Sequence, residues 1–459
     1  MRRILSRARS LGLVILLLGS SAQAQAQPIP DHQQVAMNFV NILLHERTGD
    51  TWPYFNFIKD TWQPGYVPML LETWSLARLP ETARRVITLL REKTGQPLNH
   101  EVSNWFQWWW NQPHAQHGAY PVFKSTLYGF LDPRFTRYFT PDPPTRIRLD
   151  EVRWGGVKQD GIPPLRQPAM IPASEASYLA DDHVVFGVEI NGDARAYPKR
   201  ILAWHEMFVD TIGGINFAGV YCTLCGAVIL YETEFNGVNH QLGTSGFLFR
   251  SNKLMYDKAT QSLWNTTWGE PVVGFLADYD IRLKRSYVVT TTWGEWKRRH
   301  PDTQVLSINT GFLRNYDEGV AYQDYFARDD LMFNVPELDE RLNNKDEVLA
   351  LVFPESGDQQ LAIDANFLAA NQVYQDKLGA QPFVVLTDTS GANRVYQADT
   401  ITFDRYDGDA TVVDSAGNDW TLSEDKLTAQ DGQALARLPA HRAFWFGWFA
   451  NYPDTRLVK

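Results

Sequence analysis

Two stretches of this 459-residue chain carry one signature at one spacing. Trp293-x-x-Trp296 is followed by His300-Pro-Asp-Thr303, and Trp445-x-x-Trp448 by Tyr452-Pro-Asp-Thr455. Upstream, Met255-Tyr-Asp257 leading to Trp264 resembles Val413-Asp414 leading to Trp420, and Gly213 to Val220 resembles Gly379 to Leu386. Chance could produce any one match, but all of them in the same order argue for an internal duplication, and a duplication restricts the architecture strongly. Both stretches are built from short β-like runs and Gly/Pro turns. The predicted fold class is therefore α+β: an N-terminal helical region followed by two related, mainly antiparallel β-rich units.

The copies differ where chemistry would sit. The first holds both cysteines of the chain, Cys222 and Cys225, between two strand-like runs, Ile215 to Tyr221 and Ala227 to Tyr231. Gly226 suits the tight connection, since glycine admits positive φ and leaves backbone N–H groups free to face sulfur. This is the form of a metal-binding knuckle or of a small disulfide. A hairpin centred on Ile212 and Gly213 sets His205 opposite Val220. Cross-strand Cβ atoms lie about 4.5–5.5 Å apart, so His205 would reach Cys222, with Glu206 beside it. A one-residue slip would turn His205 to the other face. Superposing Phe217 on Phe383 puts Asp388 at the place of Cys222 and Gly391 at that of Cys225, with no histidine near Asn371. Function is thus expected in the first unit, with the second structural or substrate-framing.

The N-terminus carries Arg2, Arg3, Arg7 and Arg9, an apolar run from Leu11 to Leu18, and Ala-x-Ala sites ending at Ala24 or Ala26. That is the composition of a signal peptide over 1–26, with an apolar run too short to span a bilayer. The expected location is periplasmic or secreted, without stable membrane insertion after cleavage. Loss of four arginines would move the net charge from −10 to about −14. An acidic chain without basic clusters argues against nucleic acid as a partner, leaving an unknown small-molecule or protein ligand.

From Asp31 to about Trp110 apolar residues recur at helical spacing, as in Val35, Phe39, Ile42 and Leu43. The segment 27–143 reads as a small bundle or HEAT-like helical hairpins, though no clean repeat period is present. The cluster Trp105, Phe106, Trp108, Trp109 and Trp110 is read as the surface that docks this region on the rest, and alternatively as a binding face. Pro141-Asp-Pro-Pro144 is a stiff linker and the first boundary. The β-rich units are then 144–330, with the cysteines, and 331–459, without.

Several pieces together resemble the bacterial domain-of-unknown-function family 3179. They are Asp160-Gly-Ile-Pro163, Gly192-Asp-Ala-Arg-Ala-Tyr-Pro198, Trp204-His-Glu206, Tyr221-Cys-x-Leu-Cys-Gly226, Ser245-Gly-Phe-Leu248, Met255-Tyr-Asp257, Ser262-Leu-Trp264 and His300-Pro-Asp-Thr303. The resemblance runs from about Ile147 to the C-terminus. Thr223 stands where the family usually shows proline. The resemblance implies no activity.

The residues leave three readings open. Cys222, Cys225 and His205 form two soft ligands and a borderline third, suited to zinc or copper, with Glu206 as general base on a bound water. The pair could instead perform thiol–disulfide chemistry, although the residues after Cys225 read as strand rather than as the helix whose N-terminus would stabilise a thiolate. Thirdly, the cysteines could be a staple in a non-catalytic, extracytoplasmic ligand-binding protein.

Overall fold

The computed structural model describes residues 31–113, 116–357 and 359–459. The signal peptide expected at 1–26 lies outside the described residues. The fold is mixed α+β, a helical region followed by several mostly antiparallel sheets.

The helical region comprises His32–Leu44, Trp52–Asp60, Val67–Leu76, Pro80–Thr94, Val102–Trp110 and Tyr120–Gly129. The fourth of these begins on its proline and ends at Gly95 with φ 70°, as its sequence predicts. Burial of Glu72 is tolerated because every oxygen is engaged: Lys124 Nζ donates at 2.7 Å and Tyr128 Oη at 2.7 Å, and Tyr120 Oη donates as well. Lys124 also donates to the Val152 carbonyl, which ties the helices to the first strand of the β-rich part. The tryptophan cluster completes that docking. The indole N–H groups of Trp109 and Trp110 donate to the Asp150 carboxylate and carbonyl at 2.6 and 3.1 Å.

The next part contains three five-stranded sheets. One is Val289–Thr292, Val184–Ile190, Asp193–Pro198, Gln304–Leu306 and Met170–Pro172 in spatial order, with Gln304–Leu306 parallel to Asp193–Pro198. The second carries the cysteine hairpin, Met207–Ile212, Ile215–Cys222 and Ala227–Glu232. The third holds Leu242–Phe249 and Asn252–Asp257 at its centre. The helix Lys199–His205 feeds the hairpin, and Trp293–Arg299 follows Val289–Thr292.

The same succession recurs later in the chain. Glu347–Leu351 and Leu361–Asp364 are followed by the short helix Ala365–Ala370 and the three strands Val373–Leu378, Gln381–Thr387 and Asn393–Gln397. A five-stranded meander from Phe403 to Ala436 comes next, then Ala440–Phe444, the helix Trp445–Asn451, and Arg456–Val458 running parallel to Leu361–Asp364. Details coincide. Trp296 Nε1 donates to Thr303 Oγ1 at 2.9 Å, and Trp448 Nε1 to Thr455 Oγ1 at 2.9 Å. Tyr221 N donates to Glu206 O, and Thr387 N to Gln372 O, both at 2.9 Å.

The two groups of sheets meet through loops. Phe444 N donates to Cys225 O at 2.7 Å, and a Cβ on Gly226, whose φ is +59°, would stand 2.9 Å from the Phe444 ring. In the opposite sense Ser390 Oγ meets Thr291 Oγ1 at 3.3 Å, and Ala392 packs with Trp293 and Trp296.

Candidate functional site

The hairpin register is the first determinant of the site. Ile212 pairs with Ile215 and Met207 with Val220, so the turn is Gly213-Gly214, one residue beyond the expected centre. The strand begins at Met207, and His205 is the last residue of the preceding helix. Glu206 joins them in left-handed conformation, φ 56°, unusual for a residue with a side chain. This corrects the hairpin placement of His205. Its Nδ1–H donates to the Pro163 carbonyl at 2.8 Å, which fixes the tautomer, and Nε2 accepts from Tyr316 Oη at 2.6 Å. Burial holds the His205 pKa below its ordinary value, outweighing the hydrogen bond to Pro163. The lone pair that a metal would need is occupied by a tyrosine hydroxyl. Among the described residues no group of three or more His, Cys, Asp or Glu side chains is placed to hold a metal ion.

Cys222 and Cys225 form a disulfide across the connection between Ile215–Cys222 and Ala227–Glu232, with Cα atoms 5.4 Å apart. Both are buried, at 3% and 0% exposure, in the apolar cluster that includes Phe444, Trp445 and Trp448 of the later group of sheets. Tyr325 Oη donates to the Leu224 carbonyl at 2.8 Å, and Cys225 Sγ lies 3.9 Å from Ser251 O. The hydroxyls of Tyr221, Thr223 and Ser251, all buried, have no hydrogen-bond partner there.

Glu206 faces a residue that the sequence reading passed over. Lys253, on Asn252–Asp257, is buried and donates through Nζ to Glu206 Oε2 at 2.8 Å and to Glu206 O at 3.4 Å. Burial pulls the Lys253 ammonium below its ordinary pKa, and the Glu206 charge offsets part of this. Tyr322 Oη donates to Glu206 Oε1 at 3.5 Å, and Tyr322 is itself left-handed at φ 59°. A lysine directly before the apolar pair Leu254-Met255 in a strand was the signal available for it. Tyr316, Tyr322 and Tyr325 all come from the segment 307–346, irregular apart from Gln323–Phe326, which lies as a strap over His205, Glu206 and the cysteine loop. A hydroxyl in a long irregular segment gives no sequence sign of where it will land.

Other motif residues support the framework. Arg195 bridges Asp193 at 2.8 Å and Asp210 at 2.7 Å, and Tyr197 donates to Asp210 at 2.8 Å. Asp160 Oδ2 accepts from Tyr256 Oη at 2.6 Å.

The arrangement defines a class: an α+β protein whose closed disulfide hairpin and buried Glu–Lys pair lie beneath a tyrosine-bearing strap. A family model described as protein of unknown function (DUF3179) matches residues 159–455. The chain belongs to that family. No curated protein and no solved structure matches it. No described helix is long and apolar enough to cross a membrane.

Proposed function

We propose that this chain is an extracytoplasmic protein that binds a small polar ligand at Glu206 and Lys253, with Cys222–Cys225 as a staple beneath the site. The observation that carries the reading is the left-handed, nearly buried Glu206 held against buried Lys253. A strained backbone and a desolvated ion pair are both costly, and the two coincide where strain usually accompanies function. Glu206 is the hydrogen-bond acceptor of the pair. A thermal-shift screen of small polar metabolites tests this: ligands that stabilise wild type should not stabilise the Glu206→Gln/Lys253→Met double variant. Hits that stabilise both equally would place binding elsewhere.

Thiol–disulfide exchange is the second reading, supported by the closed pair itself and opposed by its burial under Phe444. Zinc or copper on Cys222, Cys225 and His205 would require reduction of the disulfide and release of His205 from Pro163 and Tyr316.

The two groups of sheets are, in our reading, copies of one unit. The recurring element order, the paired Trp–Thr hydrogen bonds and the common offset between Tyr221/Glu206 and Thr387/Gln372 support it. At the corner occupied by the disulfide in the first copy, the second has Asp388 bonded to Arg394 at 2.8 Å.

A further inference from the structure

Away from the cysteines, a cavity of about 760 Å³ opens between the small hairpin Glu234–Phe235/Val238–Asn239 and the turn Phe275–Asp278. Its size is ordinary for a small-molecule site. Val238, Phe275 and Tyr279 line it while 56%, 60% and 49% exposed, an apolar rim with no covering element. His240 and Asp257 lie in its wall, both buried.

His240 Nδ1 is 3.2 Å from Asp257 Oδ2. The other carboxylate oxygen, Oδ1, accepts from Ala259 N, Thr260 N and Thr260 Oγ1 at 3.0, 2.8 and 3.0 Å, so the carboxylate is fixed. Burial pushes the Asp257 carboxyl up, but the bonds from His240 and Thr260 outweigh it and hold the pKa below the ordinary range. An ionised carboxylate can only accept, so Nδ1 carries a proton, and in the corresponding neutral tautomer Nε2 presents a lone pair. No described residue donates to it.

The later group of sheets contains the same corner without the histidine. There Asp414 Oδ1 accepts from Ala416 N and Asn418 N, and Oδ2 is taken by the indole of Trp420 at 3.0 Å. In the first, Trp264 stands in the place of Trp420, but His240 has taken the carboxylate. The Trp264 N–H is left buried and unpartnered, its ring 5.0 Å from that of His240. Leaving an indole N–H unpaired is costly. A diverted pair beside an open apolar cavity is better suited to a ligand than to stability.

We propose that this cavity binds a small neutral aryl alcohol, its ring against Phe275 and Tyr279 and its hydroxyl donating to His240 Nε2. A ligand with a ring fits the aromatic rim, and one with a hydroxyl donor fits the free lone pair. The site is independent of Glu206 and Lys253, since Lys253, which holds Glu206, lies at the other end of the strand Asn252–Asp257.

Calorimetric titration of the full chain with 2-naphthol and with 2-methoxynaphthalene, which lacks the donor, tests the proposal. Saturable 1:1 binding of 2-naphthol is expected, with the ether at least about tenfold weaker, because a site built around a hydroxyl discriminates against its absence. His240→Leu should abolish the preference for the hydroxyl. Phe275→Asp, at an exposed position that leaves the core intact, should weaken both compounds. Absence of saturable 2-naphthol binding to wild type, equal affinity for the ether, or binding unchanged by Phe275→Asp would overturn it.

Discussion

Lys253 and Glu206 show how a single side chain sets the cost of a site. Removing one partner leaves the other charge buried and unpaired, at about 3–5 kcal/mol. Lys253→Met should therefore lower unfolding free energy by that amount in urea titration, and adding Glu206→Gln should recover most of it. If the double variant were as unstable as the single, the ion pair would not be the source of the cost. Cys222→Ser releases a loop so short that chain entropy predicts a loss of only about 2 kcal/mol. A much larger loss would mean that the staple holds the loop against Phe444 as well as constraining the unfolded chain.

At the scale of elements, the cysteine hairpin was legible in outline and not in register. The apolar runs on either side of Thr211-Ile-Gly-Gly214 marked both strands, but the turn could centre on Ile212-Gly213 or on Gly213-Gly214, and the structure uses Gly213-Gly214. One residue of slip, with a helix continuing to His205, gave that ring to Pro163 and Tyr316. Up to Trp110 the helices were legible from their periodicity, except Trp52–Asp60, which did not stand out. Tyr120–Gly129 was not legible, because its buried Lys124 interrupts the apolar stripe and is satisfied by Glu72 and the Val152 carbonyl, both far away in sequence. The strap carries no period at all, and its tyrosines matter through long-range contacts. Tyr316→Phe removes the donor to His205 Nε2. Loss of one hydrogen bond that leaves a buried acceptor should cost about 1–3 kcal/mol, measurable as a lowered urea midpoint.

For the whole molecule, if the two groups of sheets are copies as proposed, they differ in how each closes its corner. Where the first uses a disulfide, the second uses a buried network: Arg394 bridges Asp388 and Glu424 at 2.8 and 2.7 Å, and Arg437 reaches Glu424 at 3.0 Å. Burial alone would raise the Glu424 pKa. The charges of Arg394 and Arg437, with the His300 ring nitrogen 3.7 Å from a carboxylate oxygen, hold it well below the ordinary carboxylate range instead. A carboxylate depressed on folding adds stability that is full above its unfolded pKa and lost as pH falls below it. Urea midpoints should accordingly drop between about pH 5 and pH 3, and Glu424→Gln should flatten that drop while lowering stability at neutral pH.

The central claim is that Cys222 and Cys225 form a disulfide staple within their own hairpin connection, buried against the later group of sheets. The direct measurement is a thiol titration of protein purified without chelators or added reductant, before and after denaturation and again after reduction, with elemental analysis of the same sample. The account predicts no reactive thiol in the native or the denatured unreduced chain, two after reduction, and no stoichiometric zinc or copper. Two thiols released by denaturation alone, together with one metal per chain, would contradict it and restore the cysteines as ligands.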